Sequence, residues 1–258
     1  YATMTGIALA GLLLGQLAER FGRRPTIVAG LTLFAAACFL LAAGDTLPVF
    51  AILMGLSGIA IGVFKTGALA LIGDISRSTA QHTSIMNTAE GFFGVGAIIG
   101  PALLARLLAA GLSWTWLYVI AGVICLALIA LALLVRYPAA VRPARGGGFA
   151  GTGRAMKNPY VLAFSLGVFL YVGVEAAVYV WMPTLLTGYT GPATLLAAYS
   201  LPVFFLLRAA GRFLGAWVLA RVGWQAVLAV FSGALLLCFV LSAAGGVAWA
   251  VYLLPLSG

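Results

Sequence analysis

Apolar runs of about twenty residues, broken by short polar stretches, fill nearly the whole chain. Nine can be drawn, at approximately 1–18, 25–43, 48–72, 83–109, 114–136, 160–187, 193–219, 224–243 and 245–258. At 1.5 Å rise per residue, ~20 apolar residues in a helix cross the ~30 Å hydrocarbon core of a bilayer. Lipid offers no partner to a backbone amide, so such runs must be helical. The composition agrees, with 64% hydrophobic and 7% charged residues, where a soluble domain carries about 25% charged. The expected class is an all-α membrane protein. The first and last runs look truncated and the chain does not open on Met, so it reads as a piece of a longer protein.

The net charge of +9 could point to nucleic acid. Its placement argues against that. The basic residues gather in alternate connections: Arg20, Arg23 and Arg24; then Arg77; then Arg136, Arg142, Arg145, Arg154 and Lys157; then Arg221. The intervening connections hold Asp45 and little else, with Arg106 near the end of its run as the exception. This asymmetry puts the basic loops in the cytoplasm and the chain in the cell (inner) membrane as a multi-pass protein. Trp114, Trp116, Trp181, Trp217 and Trp224 lie near run ends, as interfacial anchors do. Cys38, Cys125 and Cys238 fall inside apolar runs and read as small core residues. The stretch 138–157 is rich in Pro, Gly and Arg and reads as a cytoplasmic linker between bundles 1–137 and 158–258.

One polar break stands out. In Gly15-Gln16-Leu17-Ala18-Glu19-Arg20-Phe21-Gly22-Arg23-Arg24-Pro25, four charges fall within six residues. Gly15 and Gly22 permit close packing and a turn. Glu19 can accept hydrogen bonds from the arginines, and Pro25 suits the first turn of the next helix. The spacing Gly15, Glu19, Arg20, Gly22, Arg23, Arg24 resembles the loop between the second and third helices of the major facilitator superfamily, with Glu where Asp is more usual. A weaker copy, Gly211-Arg212-Phe213-Leu214-Gly215 followed by Arg221 and Gly223, lies roughly 200 positions on, as parallel halves require. The resemblance implies the major facilitator fold, two pseudo-symmetric helical bundles, here incomplete. It would run from helix 2 to the start of helix 10, without helix 1. The run from Met86 to Pro101, with Gly96 and Gly100 expected to allow close packing, resembles helix five of the fucose:proton symporter family. The stretch 171–175 resembles that family's helix seven. This branch implies a sugar or similar small polar solute, moved by symport with protons. At the family's helix-four acid this chain has Lys65, a fixed cation, so proton coupling is lost or moved elsewhere.

Charges inside spans are costly and are functional candidates by default. Lys65 and Glu90 lie at similar depth on consecutive antiparallel runs, about 10 Å in, and are expected to pair. Asn87 shares the Glu90 face. Glu175 lies near the midplane, with Tyr171 and Tyr179 a turn either side. A carboxylate between phenols suits a sugar, accepting hydroxyl hydrogens while the rings stack on C–H faces. The alternative is that both tyrosines are core and Glu175 pairs with Arg208. If Glu175 carries the exchangeable proton, its substitution changes the pH dependence of uptake. Asp74 could join Arg23 or Arg24 in a latch that breaks and reforms during rocking, a solvated minor pair being the alternative. His82, the one histidine, reads as a loop residue.

The expected function is secondary active transport by alternating access, by a monomer without cofactor or metal. The serious alternative is a major facilitator exporter of drugs or metabolites. An intramembrane enzyme needs a nucleophile–base set or metal ligands within the spans, and the sequence offers none. A channel fits poorly with a repeat and a latch.

Overall fold

The structure, a computed structural model, describes residues 2–15, 17–44, 46–138 and 153–258. Most of the linker expected at 138–157, with Arg142 and Arg145, lies outside the described residues, as does Asp45. Every described element is a helix: α1 Ala2–Leu14, α2 Leu17–Arg20, α3 Arg23–Ala43, α4 Leu47–Ile75, α5 Thr79–Ala109, α6 Trp116–Leu134, α7 Pro159–Leu185, α8 Thr194–Ala198, α9 Ser200–Val222, α10 Trp224–Gly245 and α11 Val247–Leu256. Six of them (α3 to α7 and α10) are long and apolar enough to cross a membrane. The 23 residues of α9 would also reach, at about 35 Å, but Arg208, Arg212 and Arg221 dilute its apolar character.

Helix starts follow local chemistry. Asn158 Oδ1 accepts from the Tyr160 amide at 2.9 Å, with Pro159 in the first turn of α7. Gly22 precedes α3 at φ 95°, ψ 165°, and Gly223 precedes α10 at φ 85°, ψ 150°. Side chains rarely adopt this backbone conformation, so the two related loops turn on the same requirement for glycine. The run 193–219 is not one helix. It breaks at Tyr199 (φ −104°, ψ 15°) between α8 and α9. Pro202, in the first turn of α9, has no amide to bond Ala198 and its ring crowds that carbonyl. His82 sits in the first turn of α5 rather than in a loop, its amide bonded to the Ser78 carbonyl at 2.9 Å.

Two compact units emerge. The first comprises the described residues of 1–77 and 102–155, and the second those of 78–101 and 156–258. Residues 79–101 of α5 therefore group with the second unit, where the sequence division placed all of 1–137 in one bundle. In the first unit α4 packs on α1 and α3 through small residues. Gly58 lies against Thr3, Gly62 against Ala10, and a Cβ on Gly30 would sit 2.6 Å from the Phe64 amide nitrogen. Without a hydrophobic drive between helices in lipid, such close backbone approach is what supplies dispersion contact. Ile27, Leu31, Ala35, Cys125 and Ala132 form its core. In the second unit Val178, Met182, Leu186, Phe204, Val251 and Leu254 do so. Large apolar side chains elsewhere point outward, Leu134 at 82% and Phe169 at 73% exposure, as a lipid-facing surface should.

Candidate functional site

In the first unit the latch residues meet. Arg23 Nε donates to Asp74 Oδ2 at 2.7 Å and Nη2 to Oδ1 at 3.2 Å. The third arm, Nη1, donates to the Ala18 carbonyl at 2.8 Å. The fork ties the start of α3 to the end of α4 and to α2. Arg24 donates to the Leu133 carbonyl, linking α3 to α6. Glu19 and Arg20 are exposed on α2, and Gly15 follows the end of α1. The Arg23 and Asp74 side chains are 11% and 14% exposed, so this is no freely solvated pair. A double-mutant cycle with Arg23→Gln and Asp74→Asn, read by thermal unfolding in detergent, is expected to give a coupling of about 1 kcal/mol or more. A coupling near zero would make the contact incidental.

The second unit holds the densest polar constellation. Its centre is Arg208 on α9, 10% exposed. Nη1 pairs with Glu175 Oε1 on α7, and Nη2 lies 3.7 Å from Glu90 Oε2 on α5. The guanidinium carbon stands 5.4 Å from the Phe93 ring centroid, within cation–π range. Nε is buried with no hydrogen-bond partner among the described residues. One turn along α9, Arg212 Nη2 donates to the Tyr171 hydroxyl at 3.3 Å. Tyr171, Glu175 and Arg208 line a small pocket with Val174, Val178 and Phe204.

The register of α5 on α9 explains how Glu90 arrives there. Asn87 lies against Gly215, Gly91 against the Phe213 ring, and Gly94 against Ala209. Numbers rise on one helix as they fall on the other, so the pair is antiparallel. Glycine at 91 and 94 lets the helices approach. Gly96 and Gly100, expected to mediate close packing, face open space: a Cβ there meets nothing within 4 Å, and the same is true of Gly211.

The candidate residues divide accordingly. Glu175 and Tyr171 come together as expected. Tyr179 does not join them; it packs on the core and lies 6.0 Å, ring to ring, from Phe205. At 100° per residue, eight positions leave Tyr179 about 80° around the helix from Tyr171. The ion-pair partner found for Glu90 is Arg208, where the sequence suggested Lys65. Lys65 belongs to the first unit and is exposed on α4. Sharing of Arg208 by two carboxylates was missed, since spacing along a chain does not show which distant helices touch.

The Major Facilitator Superfamily profile matches residues 1–258. The chain belongs to this superfamily. It is thus an integral membrane protein of a family of transporters. Among curated relatives, a TsgA homolog of Erwinia tasmaniensis is 27% identical over 191 residues, 72% of this chain and 46% of that protein. The multidrug transporter protein MdtP of Bacillus subtilis is 30% identical over 122 residues, 46% of this chain and 22% of that protein. The multidrug resistance protein MdtL of Shewanella oneidensis is 28% identical over 132 residues, 51% of this chain and 33% of that protein. The matched stretch thus spans less than half the length of each relative. Two structures of the fucose:proton symporter FucP, one from E. coli and one in an outward conformation, align with TM-scores of 0.81 and 0.80. Each is 21% identical, covering 99% of this chain and 70% of the symporter. At that identity the likeness is one of fold, and it makes the major facilitator fold the architecture of this chain.

Proposed function

We propose that this superfamily member moves a sugar or similar small polar solute across the cell membrane by alternating access, coupled to protons, with its basic loops cytoplasmic. The observation that carries the reading is the pocket on α7 and α9, where Glu175, Tyr171 and Arg208 present acceptors and donors in an otherwise apolar unit. Glu175 accepts hydroxyl hydrogens, Tyr171 offers both a ring face and a phenol, and the unpartnered Arg208 Nε supplies a donor. The Arg23–Asp74 fork suits a latch between alternating states. The fold likeness to a sugar symporter supports the same reading.

The test is uptake of L-fucose and D-glucose into proteoliposomes with an inward proton gradient. Uptake of one of them is expected, with Glu175→Gln lowering it tenfold or more, since a hydrogen bond to a charged group is worth about 1.5–3 kcal/mol. Uptake of neither sugar, under conditions where the protein is folded, would sink the cargo assignment. The matches to MdtP and MdtL favour a second reading, export of drugs. Proton-driven efflux of ethidium, insensitive to both sugars, would establish that reading instead.

A further inference from the structure

Two carboxylates share one guanidinium in the second unit, and they share it unequally. Glu175 makes the direct contact with Arg208 and its side chain is 13% exposed. Glu90 stands off at 3.7 Å and is 31% exposed. We propose that Glu90 is the residue that takes up and releases the coupled proton, with Arg208 as its counter-charge and Glu175 as the positioning residue that holds Arg208. This deepens the transport reading above and rests on it for the word coupled.

The groups facing Glu90 in this unit are few. From α9 come Arg208 and Arg212, and Arg212 donates to Tyr171. From α7 come Glu175 and Tyr171, while Tyr179 packs on the core. On α5 itself the nearest titratable side chain is His82, two turns away. Glu90, Glu175 and Arg208 together carry a net charge of −1 when both acids are ionised. Arg208 is committed to Glu175, so the weaker contact yields first. Glu90 is also the more exposed of the two acids.

The step balances simply. A proton from water on the open side adds to a Glu90 carboxylate oxygen, which becomes a neutral carboxylic acid. The Arg208–Glu175 pair stays intact and neutral overall. Arg208 Nη2 is then released from its second acid and, with Nε, can donate to an oxygen of the solute. Protonation and solute binding therefore favour one another, and linkage requires the reverse as well. The sequence raises Glu175 only as one candidate for carrying that proton.

This chain has five acidic side chains, and infrared titration of the full protein in lipid reads the protonation of its acids directly. Wild-type protein, stepped from alkaline to acidic pH, should develop the C=O stretch of a protonated carboxylic acid. Glu90→Gln should lose that band. Glu175→Gln should keep it, with the midpoint moved to lower pH, because Glu90 then has Arg208 to itself. Loss of the band in Glu175→Gln with retention in Glu90→Gln would overturn the assignment, and so would its retention in both. Should Glu90→Gln not fold, Glu90→Asp carries the test. Its band should then change in frequency or midpoint, and an unchanged band counts against the proposal. The band needs no solute. A titrating Glu90 in a protein that moves neither L-fucose nor D-glucose would refute the cargo and leave the proton site standing.

Discussion

Replacing Arg208 with Gln should abolish transport and lower the melting temperature of the purified protein by roughly 10 °C. The side chain is nine-tenths buried and serves Glu175, Glu90 and the face of Phe93 at once. Removing one partner of a buried pair costs roughly 3–5 kcal/mol, mainly because the other charge is left uncompensated, and here two acids are left. Arg208→Lys should not restore activity, since a single ammonium cannot fork to two carboxylates on different helices. The double variant Arg208→Gln/Glu175→Gln should regain much of the lost stability, because the stranded charge goes with its partner. It should not regain transport. Thermal unfolding in detergent together with uptake in proteoliposomes would show this. A single Arg208→Gln protein with wild-type melting and uptake would remove Arg208 from the site altogether.

Class, spans and the main turn were readable before any coordinates, for reasons that reside in single stretches. An apolar run of membrane length has no other fold in lipid, and Gly22 announces a turn whether or not its surroundings are known. That Asp74 would meet Arg23 or Arg24 was readable because charges are so scarce that each has few conceivable partners. What stayed hidden depends on rotation and register. Eight residues of α7 carry Tyr179 about 80° away from Tyr171, which a count of turns alone ignores. Pro202 breaks the run 193–219 only because it falls where its ring meets the Ala198 carbonyl. Arg208 was offered as the partner of Glu175, but its second acid comes from α5, more than a hundred positions away.

Gly94→Val is expected to be as damaging as loss of an ionised residue, and Gly96→Val nearly silent. A Cβ on Gly94 would stand 2.8 Å from Ala209 Cβ and 3.2 Å from Ala209 Cα. Real Cβ atoms essentially never approach so closely, and neither neighbour is the free end of a flexible side chain. The helices must separate, and overpacking of this kind costs typically 1–3 kcal/mol. The functional loss should exceed the stability loss. Gly94 lies one turn from Glu90 on the same face of α5, and Ala209 directly follows Arg208 on α9. A separation at 94 and 209 therefore adds directly to the 3.7 Å between Glu90 and Arg208. At 96 a Cβ meets nothing within 4 Å, and valine is no poorer a helix former than glycine. Uptake should fall at least tenfold in Gly94→Val and less than twofold in Gly96→Val, both proteins being recovered folded. Gly94→Ala, with the smallest Cβ, should lie between them. Equal effects at 94 and 96 would mean that α5 does not pack on α9 in this register, and the shared guanidinium would lose its structural basis.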